Sequence, residues 1–351
     1  MKYRLTRAAA IFILAVALFN DPATASPAVS AKSALVMDAA TGRILWSFQP
    51  DDRALIASTT KIMTGLLVAE ECDLSARVLI GKESVGVEGS SVYLQEGEIL
   101  SVEALLYGMM LHSGNDAATA LASYCGGSVE NFVEKMNQKA DELGLDNTKF
   151  ANPHGLDSDE NYSTAKDLAL LTAYAMENPV FCKVVSCKTA EFGNRCFTNH
   201  NKLLWQYPGA IGVKTGYTKS AGRILVSCAE RGGRRLIAVT MSDPNDWRDH
   251  CDMLDFGFEE YTSTRIATAD ELKISVPVIG GSEAECIAVL KEDIIYPVSK
   301  DENITFQYHL PKFIYPPVLT GDRAGVLCVF LDGVEIAEYP LYWQYSVLEG
   351  A

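Results

Sequence analysis

Ser58 and Lys61 stand three residues apart where the chain should enter a helix, and on a helix that spacing puts both side chains on one face. A serine hydroxyl is a weak nucleophile until a base removes its proton. A lysine amine can be that base when neutral, which requires its pKa to fall far below the ordinary value of about 10.4. Burial and a second cation nearby are the forces that lower it. A serine in the first helical turn also lies among unsatisfied backbone N–H groups, where developing negative charge is favoured. The pair therefore reads as nucleophile and base for acyl transfer. Two later triplets, Ser113-Gly114-Asn115 and Lys214-Thr215-Gly216, have the types to complete such a site. Ser113 offers a hydroxyl that can relay a proton to a leaving amine, and Asn115 an amide that can hold a substrate carbonyl or fix Lys61. Lys214 is the second cation. With Thr215 it could bind a terminal carboxylate, while Gly216 lets a substrate approach the backbone closely. Singly, each triplet is commonplace. Ser58 alone would read as a helix cap with Lys61 on the solvated face, and the Ser113 triplet as a cap on the next helix. The catalytic reading rests on all three occurring in this order.

The elements that must hold these residues are also patterned. Residues 33–37 and 43–48 read as strands around a turn at Thr41-Gly42, which supplies the turn chemistry. Ser58 opens a helix with Ile62, Met63, Leu66 and Leu67 at helical spacing. Further helices are predicted over 101–111, 115–124, 128–143 and 164–176, with 152–157 as a loop. From residue 181 the pattern turns to strands. Residues 209–217 carry the Lys214 triplet, and 223–229 and 235–241 flank Gly232-Gly233 as a hairpin. A last helix is predicted over 251–261. Beyond residue 265 the chain is β-rich, with Asp332-Gly333 as its clearest hairpin turn and Pro311, Pro316 and Pro317 marking loops or edges. The fold class that follows is α+β: an antiparallel sheet flanked by helices, with a small C-terminal β-rich domain.

The bulk numbers agree with a folded, exported protein. The 351 residues are 48% hydrophobic and 21% charged, enough for one large core and a second, smaller domain and too apolar for disorder. Lys2, Arg4 and Arg7 precede a short apolar stretch over 8–19, and Ala23-Thr24-Ala25 then fits a small-x-small cleavage site. The expected division is a signal peptide over 1–25, a main domain over 26–262 and a β-rich domain over 265–351. The leader carries three positive groups and Asp21, so removing it takes the net charge from −15 to −17. An acidic body of this kind does not suit nucleic acid. Nine cysteines, an odd number without a C-x-x-C pair, leave at least one thiol free within a single chain. Cys182, Cys187, Cys196 and His200 could be plain thiols, a disulfide or a metal site, although their spacing matches no trusted zinc pattern.

The three triplets together resemble the active-site elements of penicillin-binding proteins and serine β-lactamases, most closely the D-alanyl-D-alanine carboxypeptidases. The resemblance covers nearly the whole mature chain. It includes Asn152-Pro153-His154-Gly155-Leu156-Asp157, residues 162–169, and residues 198–204 leading towards the Lys214 triplet. It implies a DD-peptidase/β-lactamase-like fold and removal of the terminal D-alanine from peptidoglycan stem pentapeptides through an acyl-enzyme on Ser58. It also implies Lys61 and Ser113 as catalytic partners, and Asn115, Lys214, Thr215, Gly216 and Tyr217 as substrate-binding residues. The oxyanion hole would be the backbone N–H groups of Ser58 and Tyr217. β-Lactams would acylate Ser58, and no metal or organic cofactor is needed. A serine β-lactamase, a D,D-endopeptidase and a non-catalytic wall-binding module are the alternatives. Three departures stand out. His200 takes a position where some relatives carry Arg, with Arg248 a weak substitute. Tyr217 stands where some carry His. The tail over 340–351 is too short and not basic enough for a membrane-lying helix, so a released or wall-retained enzyme with no stable transmembrane anchor is expected.

Overall fold

The computed structural model describes residues 26–269 and 271–350; the leader expected over 1–25 lies outside the described residues. The first strand, β1 (Ser33–Asp38), is buried along its whole length. Alternate side chains of a strand face opposite ways, and both faces here are covered. Ala34 and Val36 enter one apolar cluster with Leu225, Ala238 and Met253, while Leu35 and Met37 enter another with Val226, Ile237 and Val239. β2 (Ile44–Phe48) folds back on β1 through a turn in which Gly42 has φ +69° and the Asp38 carboxylate accepts from the Thr41 N–H and hydroxyl.

Helices α1 (Lys61–Glu71), α2 (Val102–Leu111), α3 (Asn115–Gly126), α4 (Val129–Glu142), α5 (Ala165–Glu177) and α6 (Pro179–Ser186) follow. Ser101, Ser128 and Thr164 cap α2, α4 and α5, each accepting the N–H three residues on. Such a cap contributes about 1 kcal/mol. β3 (Ala210–Thr218), β4 (Gly222–Arg231) and β5 (Arg234–Met241) complete a five-stranded antiparallel sheet in the order β2-β1-β5-β4-β3. α5 packs on one face of the sheet, and α7 (Asp246–Glu260) on the other through Met253 and Leu254.

Strands then dominate. β6 (Tyr261–Ala267), β7 (Lys273–Pro277), β8 (Glu285–Val289), β9 (Ile294–Ser299), β10 (Ile304–His309), β11 (Arg323–Leu331) and β12 (Val334–Trp343) follow in turn. β6 pairs with β9, and the others form a sheet in the order β7-β8-β12-β11-β10 around a separate apolar core. The Asp332-Gly333 turn has both residues at positive φ, +48° and +84°, as a tight hairpin turn demands. Arg43 joins the two parts. Its guanidinium donates to Pro297 O, pairs with Glu302 and lies over the rings of Tyr261 and Tyr296.

Three local expectations are corrected. Ser58 does not cap a helix: it lies inside a single 3₁₀ turn (Ala57–Thr60), and α1 begins at Lys61. Residues 179–186 form a helix, although strands were expected from residue 181. Asn178 Oδ1 accepts from the N–H groups of Val180 and Phe181, and Pro179 fills the first helical position, where its missing N–H costs nothing. The helix predicted from 251 starts at Asp246.

Cys72 and Cys125 form a disulfide across 53 residues of sequence, tying the end of α1 to the end of α3, while the other seven thiols are free. A bridge closing a loop of that size typically contributes about 2–4 kcal/mol. Cys72→Ser/Cys125→Ser is therefore expected to unfold at lower urea, with a slope equal to or steeper than the parent's because the unfolded chain is no longer cross-linked. A midpoint equal to that of the parent would refute this role. Among the described residues no single helix is long and apolar enough to cross a membrane.

Candidate active site

α1 and its preceding turn place the nucleophile candidate. Ala57 sits at φ +45°, a strained value for a residue with a Cβ, and the chain turns there so that Ser58 opens onto a cleft. Two glycines make room for this turn. A Cβ on Gly155, at φ +91°, would meet Ala57 O at 1.9 Å, and one on Gly216 would stand 3.3 Å from Ser58 N. The loop carrying Gly155 and the strand carrying Gly216 thus press against the nucleophile segment from two sides.

Lys61 is fully buried, and its Nζ lies 3.0 Å from Ser58 Oγ, 2.7 Å from Asn115 Oδ1 and 2.5 Å from His154 O. Burial pushes its pKa well below the ordinary lysine value, the nearby Lys214 lowers it further, and Asp116 opposes the shift. A neutral amine has two N–H donors and one lone pair. The two carbonyl oxygens take the donors, which leaves the lone pair for the Ser58 hydroxyl. Burial likewise lowers His154 to about 4, and its ring accepts the Leu156 N–H, so its backbone carbonyl is what serves Lys61.

α3 supplies the second group. Asn115 is the first residue of α3 but does not cap it. Its amide holds Lys61 on one side and donates to Glu88 O at 2.6 Å on the other. Asp116 accepts from the backbone N–H groups of Val92 and Leu94 and from the Ser91 hydroxyl. One helical turn therefore both fixes the amine and anchors the loop that borders the cleft. Ser113 holds a left-handed backbone, φ +63°, and lies 5% exposed with its Oγ 3.1 Å from Lys214 Nζ.

β3 supplies the third group. Lys214 is 1% exposed, donates to Ser113 Oγ and to Thr215 O at 2.9 Å, and is lowered by burial to about 7. Thr215, Gly216 and Tyr217 line the same cleft as Ser58 and Ser113, a space of about 570 Å³. Tyr217 is 66% exposed at the rim. The eight residues singled out from the sequence therefore come together around this cleft.

Other residues fall differently. His200 lines the cleft, its pKa lowered by burial and by Lys214. Arg248 does not line it; its side chain is 85% exposed and pairs with Asp252. The lining residues that sequence reasoning missed are Ser90, Arg223, Ile224, Asp246 and Trp247. His250 is buried between Ser227 and Thr240, away from Ser58, and lowered by burial to about 3. Cys182, Cys187 and Cys196 are free thiols that, with His200, do not gather as possible metal donors among the described residues.

Comparison with known proteins agrees with this geometry. A family model described as D-alanyl-D-alanine carboxypeptidase matches residues 20–245, and one described as Penicillin-binding protein 5, C-terminal domain, matches 261–349. The chain is 34% identical over 334 residues to D-alanyl-D-alanine carboxypeptidase DacF of Bacillus subtilis, covering 91% of this chain and 86% of the relative. It is 32% identical over 360 residues to DacC of Escherichia coli, covering 97% and 90%. The solved penicillin binding protein 5 of Haemophilus influenzae superposes with a TM-score of 0.82 at 31% identity, covering 93% of this chain and 99% of that one.

Proposed function

Because this chain belongs to the D-alanyl-D-alanine carboxypeptidase family, we propose that its serine peptidase activity runs through Ser58 as nucleophile, Lys61 as base and Ser113 as proton relay. The observation that carries the assignment is the Lys61 amine with both donors occupied and its remaining face on Ser58 Oγ. Lys61 takes the hydroxyl proton as Ser58 attacks the carbonyl of the D-Ala-D-Ala bond of a peptidoglycan stem peptide. The backbone N–H groups of Ser58 and Tyr217 receive the oxyanion. Ser113, paired with Lys214, passes a proton to the leaving amine, and D-alanine departs. Water then hydrolyses the acyl-enzyme. A β-lactam would acylate the same oxygen.

Asn115, Lys214, Thr215, Gly216 and Tyr217 hold the peptide. The division into a peptidase domain over 26–262 and a small β-rich domain over 265–351 belongs to this reading, supported by the separate apolar core of the later strands. So does action outside the cytoplasmic membrane after leader removal, supported by the Cys72–Cys125 bridge, since disulfides persist in oxidising compartments. The test is incubation with a pentapeptide ending in D-Ala-D-Ala, with free D-alanine and fluorescent-penicillin labelling as readouts. Folded protein that gives neither would overturn the assignment.

A pH profile follows. The reaction requires Lys61 neutral and Lys214 charged. kcat/KM should therefore rise as Lys61 loses its proton and fall as pH passes about 7, where Lys214 loses its own. Lys214→Arg keeps a fixed charge, so its alkaline limb is expected to move upward even though overall activity drops. An unmoved alkaline limb would remove Lys214 from the profile.

A further inference from the structure

We infer that a strip of alternating tryptophan and lysine leading out of the cleft, Trp247, Lys202, Trp205 and Lys188, binds the glycan strand that carries the stem peptide, so that the enzyme selects wall polymer over free peptide. The inference rests on the peptidase reading of the cleft and names the form of substrate that reaches it.

The strip begins at the cleft wall, which His200 and Trp247 help to line. Just beyond His200, Asn201 Oδ1 accepts the Leu203 N–H and starts a short helix over Leu203–Gln206. The Trp205 N–H donates to Lys202 O, so these two residues share one turn, and side chains three apart lie on one face. Lys202 Nζ stands 5.9 Å from the centre of the Trp247 ring, and Lys188 Nζ 5.8 Å from that of Trp205. Lys188 is tied to the same wall, because its carbonyl accepts the N–H of Asn199, the neighbour of His200.

The surface of the strip is open and its charge is available. Lys188 and Lys202 are exposed, and Trp205 is 49% exposed. Among the described residues neither lysine amine forms an ion pair. Arg223, which also lies against Trp247, is by contrast paired with Asp246. The chain as a whole carries a net charge of −15, which repels an anionic polymer, so two unpaired ammonium groups beside exposed indole mark where such a polymer can settle.

Indole offers an apolar face to the C–H face of a sugar ring. An ammonium group offers three donors to hydroxyl and carboxylate oxygens. A chain of sugar rings whose peptide branches carry carboxylates matches both, and the branch to be cut lies in the cleft where the strip begins. That continuity selects this occupant, since an anionic membrane would meet the same lysines without placing a peptide in the cleft. A strand held on the strip presents its stem at high effective concentration, which raises turnover with no new contact at the reacting bond.

The test compares a free pentapeptide ending in D-Ala-D-Ala with the same stem on soluble glycan strands. D-Alanine release is measured for the parent, Trp205→Ala and Lys188→Ala/Lys202→Ala, with melting curves to show folding. The parent is expected to favour strands in kcat/KM. Each variant should lose about tenfold on strands, the usual cost of truncating an anchoring side chain, and less than about twofold on free peptide. The lysine effect should fade at high salt. Equal losses on both substrates, or a parent that treats the two alike, would overturn the inference and leave the peptidase reading intact. A parent that releases nothing from either substrate would remove that reading and this inference with it. In a second measurement the Ser58→Ala form is sedimented with insoluble strands or with vesicles of anionic phospholipid. Binding to strands that falls when Trp205→Ala is added supports the strip, whereas binding to vesicles alone would overturn it in favour of a membrane surface.

Discussion

Ser58→Ala loses D-alanine release by about 10⁴-fold or more, because it removes the attacking oxygen that the Lys61 amine meets at 3.0 Å. Covalent labelling by penicillin should vanish with it. Folding should not suffer. The hydroxyl is one of three groups around the Lys61 amine, and the two carbonyl acceptors remain. The loss of one such hydrogen bond costs about 1 kcal/mol. The check is a single-turnover assay with a D-Ala-D-Ala peptide beside a melting curve. Residual release within tenfold of the parent would require a different nucleophile.

Lys61→Met carries the second large effect. The thioether chain fills nearly the same space but accepts no proton, so acylation should slow by about 10²- to 10⁴-fold. Lys61→Arg should lose as much, since a guanidinium keeps its proton. Stability responds differently. Methionine strands Asn115 Oδ1 and His154 O without their donor, and each buried orphan costs about 1–3 kcal/mol. The parent also holds fewer protons than its unfolded chain between the lowered pKa of Lys61 and the ordinary value of about 10.4. Its stability therefore gains with rising pH across that window. The methionine variant should gain less steeply. Denaturant titrations at several pH values read this directly, and identical slopes would mean that Lys61 is charged in the folded state.

The side chains proposed to react were legible because their signals are local. A three-residue spacing at a helix start and short Ser/Asn and Lys/Thr/Gly runs survive without knowledge of the fold. The sheet was legible from alternation and turn residues, as at Gly232-Gly233 and Asp332-Gly333. What escaped was made by tertiary contact. The 3₁₀ turn at Ser58 follows from the close approach of Gly155 and Gly216, which propensity does not encode. The His154 carbonyl that steadies Lys61 belongs to the backbone and has no sequence signal. The helix over 179–186 is a short apolar run with valines that periodicity cannot tell from a strand. Arg223 and Asp246 meet only because a strand and a helix 23 residues later lie side by side. The Cys72–Cys125 pairing is not deducible from spacing.

The Arg43 junction has a geometric consequence. Arg43 grips the later strands beside Asp38, which pairs with Leu236 near the tip joining β4 and β5. The cleft opens at the other end of β4, beside Gly222 and Arg223. Seven residues separate Ile224 from Arg231, so the span between the two ends is about 20 Å at the usual rise of a strand. The C-terminal strands thus act as a pedestal bolted to the heel of the sheet. Among the described residues that line the cleft none belongs to these strands, so base and mouth occupy opposite ends of the sheet.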